Sequence, residues 1–440
     1  MGLPVISPAR ASRPAFREAP TKLFVEVTSR CNLQCAMCPK QAPGGRDHDG
    51  DMDEAVFARL APAFPHVETL VMNGIGESLL HPGLERMVAL ARRDMPATGS
   101  IGFQTNGQLL SAARARSLVQ AGVDRVCVSA DAVAPDLFSK LRAGGQQGAA
   151  ERALDHVSAA GLEVGRRVSL GVEFVAMRDN VGQLPELVRW AARHHVEFII
   201  VTHMLPYSAQ TAKDSAFETP NAGARAVFDD WRARAAAEGV DLRRYYEVFM
   251  TFHRTPEEVR VMEWTRRMVE DAAARGITLN LLRLFSSDEG LRPRVEAAFA
   301  EAGEAARQAG VDLRLPATVP TQERRCEFVE EGSAFVSWDG DVHPCYFLWH
   351  RYQCFVGGSE KRVKPHAFGS LRQRNLLEIW NGAPFGDFRG EVVRYDYPFC
   401  HDCNAALCSD VRDEEVTDCH LGAVPCAACM WCTGVFQCLQ

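Results

Sequence analysis

The feature that most constrains this chain is a short loop that carries three cysteines. Cys31, Cys35 and Cys38 stand at C-x3-C-x2-C, directly after an apolar, β-branched run at residues 23–27 that is typical of a strand. Three thiolates on one loop hold three irons of a four-iron cluster and leave the fourth iron open to a small molecule. A structural zinc site needs a fourth Cys or His nearby, and the next several residues contain none. The loop therefore predicts an open iron–sulfur cluster at the end of a strand.

The spacing of this loop, with Asn32 and Leu33 after the first cysteine, resembles that of the radical SAM superfamily. The resemblance implies that Cys31, Cys35 and Cys38 hold a 4Fe-4S cluster whose open iron binds S-adenosylmethionine. It also implies that an electron, delivered by a reductant such as flavodoxin or ferredoxin, cleaves S-adenosylmethionine to methionine and a 5′-deoxyadenosyl radical.

Composition and cysteine distribution narrow the class of protein. The net charge of −7 gives no basic field for nucleic acid. No stretch has the apolar length of a signal peptide or a membrane span, so we expect a cytoplasmic protein without a membrane partner. In such a chain, fifteen cysteines indicate metal binding or catalysis rather than disulfides. Three lie in the opening loop, Cys127 stands alone in a predicted strand as a buried structural thiol, and eleven lie between Cys326 and Cys438.

Strand-like and amphipathic helical runs alternate over residues 21–205. Six such units predict a parallel sheet with right-handed crossovers. Six strands are too few for a closed eight-stranded barrel, so we predict a partial (β/α)6 barrel with its active site at the C-terminal strand ends. The predicted strands are residues 23–27, 69–72, 100–104, 125–129, 169–175 and 198–202, and the helical runs include 53–63, 84–93, 112–121 and 184–194.

Polar residues follow several of these strands. Gly74-Ile75-Gly76-Glu77 resembles the superfamily's Gly-Gly-Glu segment, whose backbone holds the methionine amine of S-adenosylmethionine, although Ile75 splits the glycine pair. Residues 105–107 and 129–131 resemble positions around the methionyl and ribose groups. For each of these residues an Asx turn or a cap is an open alternative. The candidate S-adenosylmethionine contacts are Gly74, Gly76, Glu77, Asn106, Ser129, Asp131 and Glu173.

Residues 206–320 are rich in Ala, Arg and Glu, with helical runs at 224–237, 256–274 and 292–308. Each run ends in a Gly followed by a short strand-like segment, at 238–242, 275–279 and 309–313. We predict a helical insertion that covers the active site or meets a partner.

The distal cysteines resemble the SPASM extension of radical SAM enzymes. Cys326 is followed by thirteen residues, Gly340, four more residues and Cys345, and Asp339-Gly340 predicts a hairpin turn that presents Cys345. Residues 368–371, 377–381 and Phe385 resemble the segment that joins the two halves of that extension. The resemblance implies auxiliary 4Fe-4S clusters, usually two. A zinc ribbon built from two C-x2-C pairs stays open as an alternative.

The cluster ligands beyond the triad follow from this resemblance only in part. We assign Cys326 and Cys345 to one cluster and Cys400, Cys403 and Cys408 to another, with the completing ligands left open. The usual compact spacing, C-x2-C-x5-C-x3-C, is not reproduced here, and the end of the chain has more cysteines than it needs, so a third auxiliary cluster is an alternative. The additional candidate metal ligands are Cys419, Cys426, Cys429, Cys432 and Cys438.

The chain's ending carries the most specific functional signal. Residues 418–439 resemble a SPASM subgroup that matures metalloenzymes, marked by a Pro-Cys-x2-Cys-x-Trp tail with a final cysteine. The resemblance predicts a maturase that acts on a protein or peptide substrate. Sulfatase maturation is disfavoured because Tyr346 stands where those relatives carry an acidic base. The predicted division is an N-terminal tail at 1–20, the barrel at 21–205, the helical segment at 206–320 and a small cysteine-rich domain at 321–440.

Three alternatives to the maturase reading remain. A peptide-modifying enzyme of ribosomal natural product biosynthesis often has an N-terminal leader-binding domain, for which about twenty residues before the first strand leave no room. A small-molecule radical dehydrogenase is the second alternative. A non-enzymatic iron–sulfur or zinc scaffold is the third, and the strand-end motifs beside the triad argue against it.

Overall fold

The computed structural model describes residues 13–42, 49–321, 323–356, 359–400, 403, 419–420, 426–437 and 439. Its strands are β1 (Lys22–Val25), β2 (Gln34–Cys35), β3 (Thr69–Met72), β4 (Ser100–Thr105), β5 (Arg125–Ser129), β6 (Arg142–Ala143), β7 (Ser169–Ala176), β8 (Phe198–His203), β9 (Asp312–Arg314), β10 (Ser333–Val336), β11 (Val342–His343), β12 (Tyr352–Val356) and β13 (Ser359–Val363). Its α-helices span Glu54–Phe57, Leu84–Asp94, Ala112–Ala121, Pro135–Leu141, Ala149–Val164, Leu184–Arg193, Ala222–Ala237, Tyr245–Phe249, Pro256–Ala274, Leu281–Ser286, Leu291–Ala309, Glu327–Glu330, Leu376–Trp380 and Ala383–Val392. Within these described ranges, no helix combines the length and apolarity needed to cross a bilayer.

A large, mostly parallel sheet lies at the centre of the molecule. Its strands run in the order β11-β10-β1-β3-β4-β5-β7-β8-β9. Six of them, β1, β3, β4, β5, β7 and β8, are the six predicted strands, and each is parallel to its neighbours among the six. Their middle residues are buried, because helices cover the outer face and side chains fill the inner one. The predicted α/β class with a partial barrel is confirmed.

Three further strands extend the two edges of this sheet, and the sequence did not indicate their partners. β9 adds in parallel to β8, while β10 adds in parallel to β1 with Phe335 beside Phe24. β11 then folds back antiparallel on β10, and the turn between them contains Gly340 at a φ of 94°. The predicted hairpin is therefore present. Because β10 joins β1 and β11 runs back along β10, the hairpin brings Cys345 to the β1 side of the sheet.

The helical segment builds a core of its own. Helices Ala222–Ala237 and Pro256–Ala274 pack around Phe228, Trp231 and Met268, apart from the core beneath the sheet. The helix Leu291–Ala309 instead contributes to the sheet core. Of the three short strands expected after these helices, only Asp312–Arg314 forms. Residues 242–244 form a 3-10 turn and residues 277–279 are not extended in a sheet, because neither meets a partner strand.

Candidate active site and metal centres

The triad loop leaves the C-terminal end of β1 and is fixed in place by a second segment of the barrel. β2 pairs antiparallel with β6, so that Cys35 lies opposite Arg142. The backbone N–H of Cys38 donates to the carbonyl of Cys35 at 3.0 Å, which closes a tight turn. The thiols of Cys31, Cys35 and Cys38 are free of disulfides and half-buried. The structure thus places all three predicted thiols on one loop at the strand-end face.

Burial keeps the metal-free thiols of the triad protonated. Desolvation raises the pKa of Cys31 and Cys35, and it raises that of Cys38 to about 11. The guanidinium of Arg142 opposes this rise at Cys35. The metal-free thiols are therefore neutral at physiological pH, and only a bound cation makes thiolates stable there. Iron binding at this turn would release protons, as it does wherever thiols become ligands.

Glu77 links the loops that follow the strands through hydrogen bonds. Its carboxylate is buried and accepts hydrogen bonds from the Thr105 hydroxyl at 2.8 Å and the Asn106 backbone at 2.7 Å. The N–H of Glu77 donates to the carbonyl of Arg30 at 2.7 Å. The Asn106 amide in turn lies 4.0 Å from the sulfur of Cys31. Glu77 therefore faces the protein, whereas Asn106 faces the triad.

Gly74 and Gly76 permit the close packing of this loop on the triad loop. A Cβ at Gly76 would overlap the backbone carbonyl of Thr28, and a Cβ at Gly74 would overlap the side chain of Glu26. The N–H of Ile75 donates to the Glu26 carboxylate at 2.9 Å. Both glycines are thus required by packing inside the chain, in addition to any role beside a ligand.

Arg142 is the residue near the triad that sequence reasoning missed. Its guanidinium forms a buried ion pair with Asp131 at 2.6 Å, and Asp131 also accepts from the backbone of Val175 at 2.8 Å. The Nε of Arg142 is buried and has no hydrogen-bond partner in the described part of the chain. A buried donor next to Cys35 is able to bind an anionic group such as a carboxylate. Only its position after a helix, in Arg142-Ala-Gly-Gly, marks it in the sequence.

Ser129 and Glu173 form the floor of the same site. They are register partners on β5 and β7, so their side chains share one face of the sheet, and both are half-buried. Desolvation raises the pKa of Glu173 to about 7, partly opposed by a hydrogen bond from Gln104. Cys127, two residues before Ser129, is fully buried, as predicted for a structural thiol.

The distal cysteines form a second centre. Five of them line one pocket, together with aromatic side chains that include Phe347 and Tyr397. These five are Cys326, Cys345, Cys426, Cys429 and Cys432. Cys345, Cys426, Cys429 and Cys432 are buried, and desolvation raises the pKa of Cys326 and Cys426. The donor set is all sulfur, which suits iron–sulfur clusters and zinc alike.

The remaining distal candidates lie elsewhere or outside the described residues. The backbone N–H of Cys400 donates to Ala427 at 3.2 Å, so it adjoins the tail, and the Cys403 carbonyl accepts from the Asn280 amide at 2.5 Å. Cys419 is exposed. Cys408 and Cys438 lie outside the described residues. Among the described side chains, no three His, Cys, Asp or Glu residues are arranged to hold a single metal ion.

Two family profiles match regions that contain these centres. Residues 25–191 match the radical SAM superfamily, and residues 326–404 match SPASM, an iron–sulfur cluster-binding domain. The chain contains a radical SAM domain and a SPASM domain. The first implies S-adenosylmethionine and a 4Fe-4S cluster, and the second implies auxiliary iron–sulfur clusters. The family, the enzyme class and the cofactors predicted from the sequence are confirmed.

Individual proteins resemble the chain to different extents. The tungsten-containing aldehyde ferredoxin oxidoreductase cofactor-modifying protein of Pyrococcus furiosus is 28% identical over 423 residues, which cover 94% of this chain and 96% of that protein. The GTP 3',8-cyclase of a Synechococcus species is 34% identical over 197 residues, covering 41% of this chain and about half, 55%, of the cyclase. The structure of Streptococcus suis SuiB bound to precursor peptide SuiA aligns with a TM-score of 0.48 at 13% identity, covering 88% and 70% of the two chains.

The SPASM domain contacts the radical SAM site directly. His350 forms an ion pair at 2.9 Å with Glu26, the buried residue that also receives the N–H of Ile75. The pKa of His350 is raised because the Glu26 carboxylate outweighs the desolvation of the ring. The hydroxyl of Tyr346, next to Cys345, donates to Asn73 at the end of β3. The residues after Cys345 therefore support the loop on which the triad rests.

Proposed function

We propose that Cys31, Cys35 and Cys38 hold the 4Fe-4S cluster at which this enzyme cleaves S-adenosylmethionine. The observation that carries the proposal is the position of three half-buried thiols on one loop at the strand ends of a radical SAM domain. When bound, the cluster and S-adenosylmethionine supply a 5′-deoxyadenosyl radical that removes a hydrogen atom from the substrate. The chain's own residues bind, orient and shield these groups.

The other candidate residues divide into two roles. We assign Arg142, Asn106, Ser129 and Glu173 to contact with S-adenosylmethionine, because each presents a polar group beside the triad or on the floor of the site. The backbone of residues 74–76 lines the same space. Glu77 and Asp131 are positioning residues, because the protein's own donors and Arg142 already occupy their carboxylates. Apart from Arg142, which it missed, the sequence alone grouped all of these residues as direct contacts.

The proposed substrate is a protein or peptide, and the proposed role is metalloenzyme maturation. The similarity to a protein named as modifying the cofactor of a tungsten enzyme runs through nearly the whole of both chains. The helical segment also exposes large apolar side chains, with Met250 81% and Phe252 95% exposed and Phe249 at 52%. Apolar groups concentrated at one surface are typical of a protein-binding site. The expected reductant is a flavodoxin or ferredoxin.

The test is anaerobic co-expression of the chain with the products of adjacent genes, followed by intact-mass measurement of each polypeptide. We expect one polypeptide to change mass when the triad is intact and to stay unmodified with Cys31, Cys35 and Cys38 replaced by Ala. The double variant M250S/F252S is expected to reduce this modification at least tenfold while S-adenosylmethionine cleavage without substrate stays unchanged. If no polypeptide changes mass, while a small metabolite drives stoichiometric release of 5′-deoxyadenosine, the maturase proposal is wrong and the cleavage proposal stands.

A further inference from the structure

The pocket in the SPASM region contains thiols that no family match accounts for. The SPASM match ends at residue 404, whereas Cys426, Cys429 and Cys432 follow more than twenty residues later. In the structure these three line the same pocket as Cys326 and Cys345. Cys326 and Cys345 are only two thiols, and a four-iron cluster bound on every iron needs four. The tail is therefore in the right place to supply the missing ligands.

We propose that Cys426 and Cys429 complete the auxiliary cluster whose other two ligands are Cys326 and Cys345. This assignment goes beyond the proposed function, because it concerns a cluster that is distinct from the triad and independent of the substrate. It also makes the C-terminal tail an integral part of the metal centre.

Backbone hydrogen bonds fix the tail beside Cys326. The N–H of Arg325 donates to the carbonyl of Cys432 at 2.8 Å, and the N–H of Thr321 donates to Thr433 at 3.0 Å. The Ala317 N–H donates to Gly434 at 2.8 Å. The tail thus runs along residues 317–326, and one of these bonds is made by the residue directly before Cys326. This placement depends on main-chain atoms and not on the thiols themselves.

Within the tail, the local turn distinguishes the proposed ligands Cys426 and Cys429 from the neighbouring thiol of Cys432. The N–H of Cys429 donates to the carbonyl of Cys426 at 2.9 Å, so these two residues are the ends of one turn facing the pocket. The thiol of Cys432 lies 3.3 Å from the carbonyl of Cys429, on the next turn. Cys432 thus donates its S–H to the backbone of Cys429 and lies beside that ligand, where a polar neighbour tunes the cluster potential.

The experiment counts iron and sulfide in a background that lacks the triad. With Cys31, Cys35 and Cys38 replaced by Ala, only auxiliary clusters contribute after anaerobic reconstitution. We expect C326A, C426A and C429A each to lose about four irons per chain, and the double variant C326A/C426A to lose no more than C326A alone. C432A is expected to keep its iron and to shift the reduction potential of one cluster. C127A, which removes a buried thiol from the barrel, is the matched control and is expected to lose none.

Two outcomes would overturn the assignment. A double variant C326A/C426A that loses about eight irons would place the two cysteines in different clusters. Full iron content with an unchanged electron paramagnetic resonance spectrum in C426A or C429A would remove that residue from the ligand set. Because alanine variants can fail to fold, C426S and C429S provide a second measurement. A serine that replaces a ligand is expected to keep the barrel's melting transition and change the spectrum of one cluster, whereas an unchanged spectrum contradicts the proposal.

Discussion

Both cysteine centres offer thiol ligands, but the thiols of the two centres differ in how deeply they are buried. The triad turn is half-buried, and its neighbours are polar, with the Asn106 amide and the unpaired Nε of Arg142 beside it. The SPASM-region pocket buries most of its thiols behind aromatic side chains such as Phe347 and Phe436. One centre has three thiols on one loop, and the other has five thiols lining one pocket, which is one more than a fully bound four-iron cluster requires.

This difference in the number of thiols and in burial predicts different chemistry at the two centres. An iron without a protein ligand binds a small molecule, and polar side chains around it orient that molecule. A cluster with four thiolates in an apolar pocket has no open iron, and its burial and hydrogen bonds set its reduction potential. We therefore expect reaction chemistry at the N-terminal centre and electron storage or transfer at the C-terminal one. The ion pair between Glu26 and His350 joins the two domains next to the open centre.

The largest effect is expected from removing the triad, because this should stop S-adenosylmethionine cleavage and leave the auxiliary clusters in place. Replacing Cys31, Cys35 and Cys38 by Ala should reduce 5′-deoxyadenosine release to the level of a protein-free blank. The same variant should retain about eight irons per chain if two auxiliary clusters remain. Product release is measured by chromatography under anaerobic reduction, and iron by elemental analysis. Release at the wild-type rate would remove the triad from the chemistry, and about twelve retained irons would indicate a third auxiliary cluster.

A smaller effect is expected from substituting Arg142, which tests whether its guanidinium contributes to binding S-adenosylmethionine at the open centre. The variant R142K keeps the charge beside Asp131 but loses the guanidinium fork, so we expect about a tenfold rise in the dissociation constant for S-adenosylmethionine, equal to about 1.4 kcal/mol. Iron content should not change. Isothermal titration with the reconstituted enzyme provides the measurement.

The matched control for that variant is R92K, which alters another partly buried arginine–aspartate pair at the opposite end of the sheet, with Asp124. It should leave the affinity for S-adenosylmethionine unchanged. Equal losses in R142K and R92K would mean that a general loss of stability, rather than contact with the ligand, explains the result.

The sequence predicted what depends on local pattern and missed what depends on distant pairing. The six parallel strands and the triad turn were predicted because periodicity and cysteine spacing are local properties of the chain. The pairing of β10 with β1 and of Cys35 with Arg142 joins segments far apart in sequence, so no local pattern indicates it. For the same reason, the sequence left the completing ligands of the Cys326 cluster open.

Glu77 shows a subtler limit of sequence reasoning. Its position after the glycines matched a motif for binding S-adenosylmethionine, and the motif does lie at the site. The carboxylate, however, is occupied by Thr105 and Asn106, and a one-dimensional pattern does not record which donors fold back onto it. A sequence motif can therefore locate a site correctly without showing which of its residues contacts the ligand.

A moderate effect is expected when the Gly76 packing is disturbed. G76A places a methyl group against the carbonyl of Thr28, and overpacking of this kind typically costs about 1–3 kcal/mol of unfolding free energy. Because this loop supports the triad turn, S-adenosylmethionine cleavage should fall several-fold while auxiliary iron stays unchanged. Melting temperature and product release are measured together. G182A is the control, since among the described residues no heavy atom outside its chain neighbours lies within 4 Å of its added methyl group. If G76A behaves like G182A, the packing account is wrong.

The smallest expected effect concerns Glu173 on the floor of the open centre, and it depends on pH. Its folded-state pKa of about 7 lies above the ordinary value of 4.5, so the folded protein binds the proton more tightly than the unfolded chain does. Wild-type unfolding free energy therefore falls as pH rises from about 4.5 to 7, by at most about 3 kcal/mol from this group. E173Q removes that loss, so its melting temperature should match the wild type near pH 4.5 and exceed it by a few degrees at pH 8. E186Q, at an exposed position of the helix Leu184–Arg193, is the control and should follow the wild type at every pH. A pH-independent difference between E173Q and the wild type would show that Glu173 acts through shape or hydrogen bonding rather than through its buried charge.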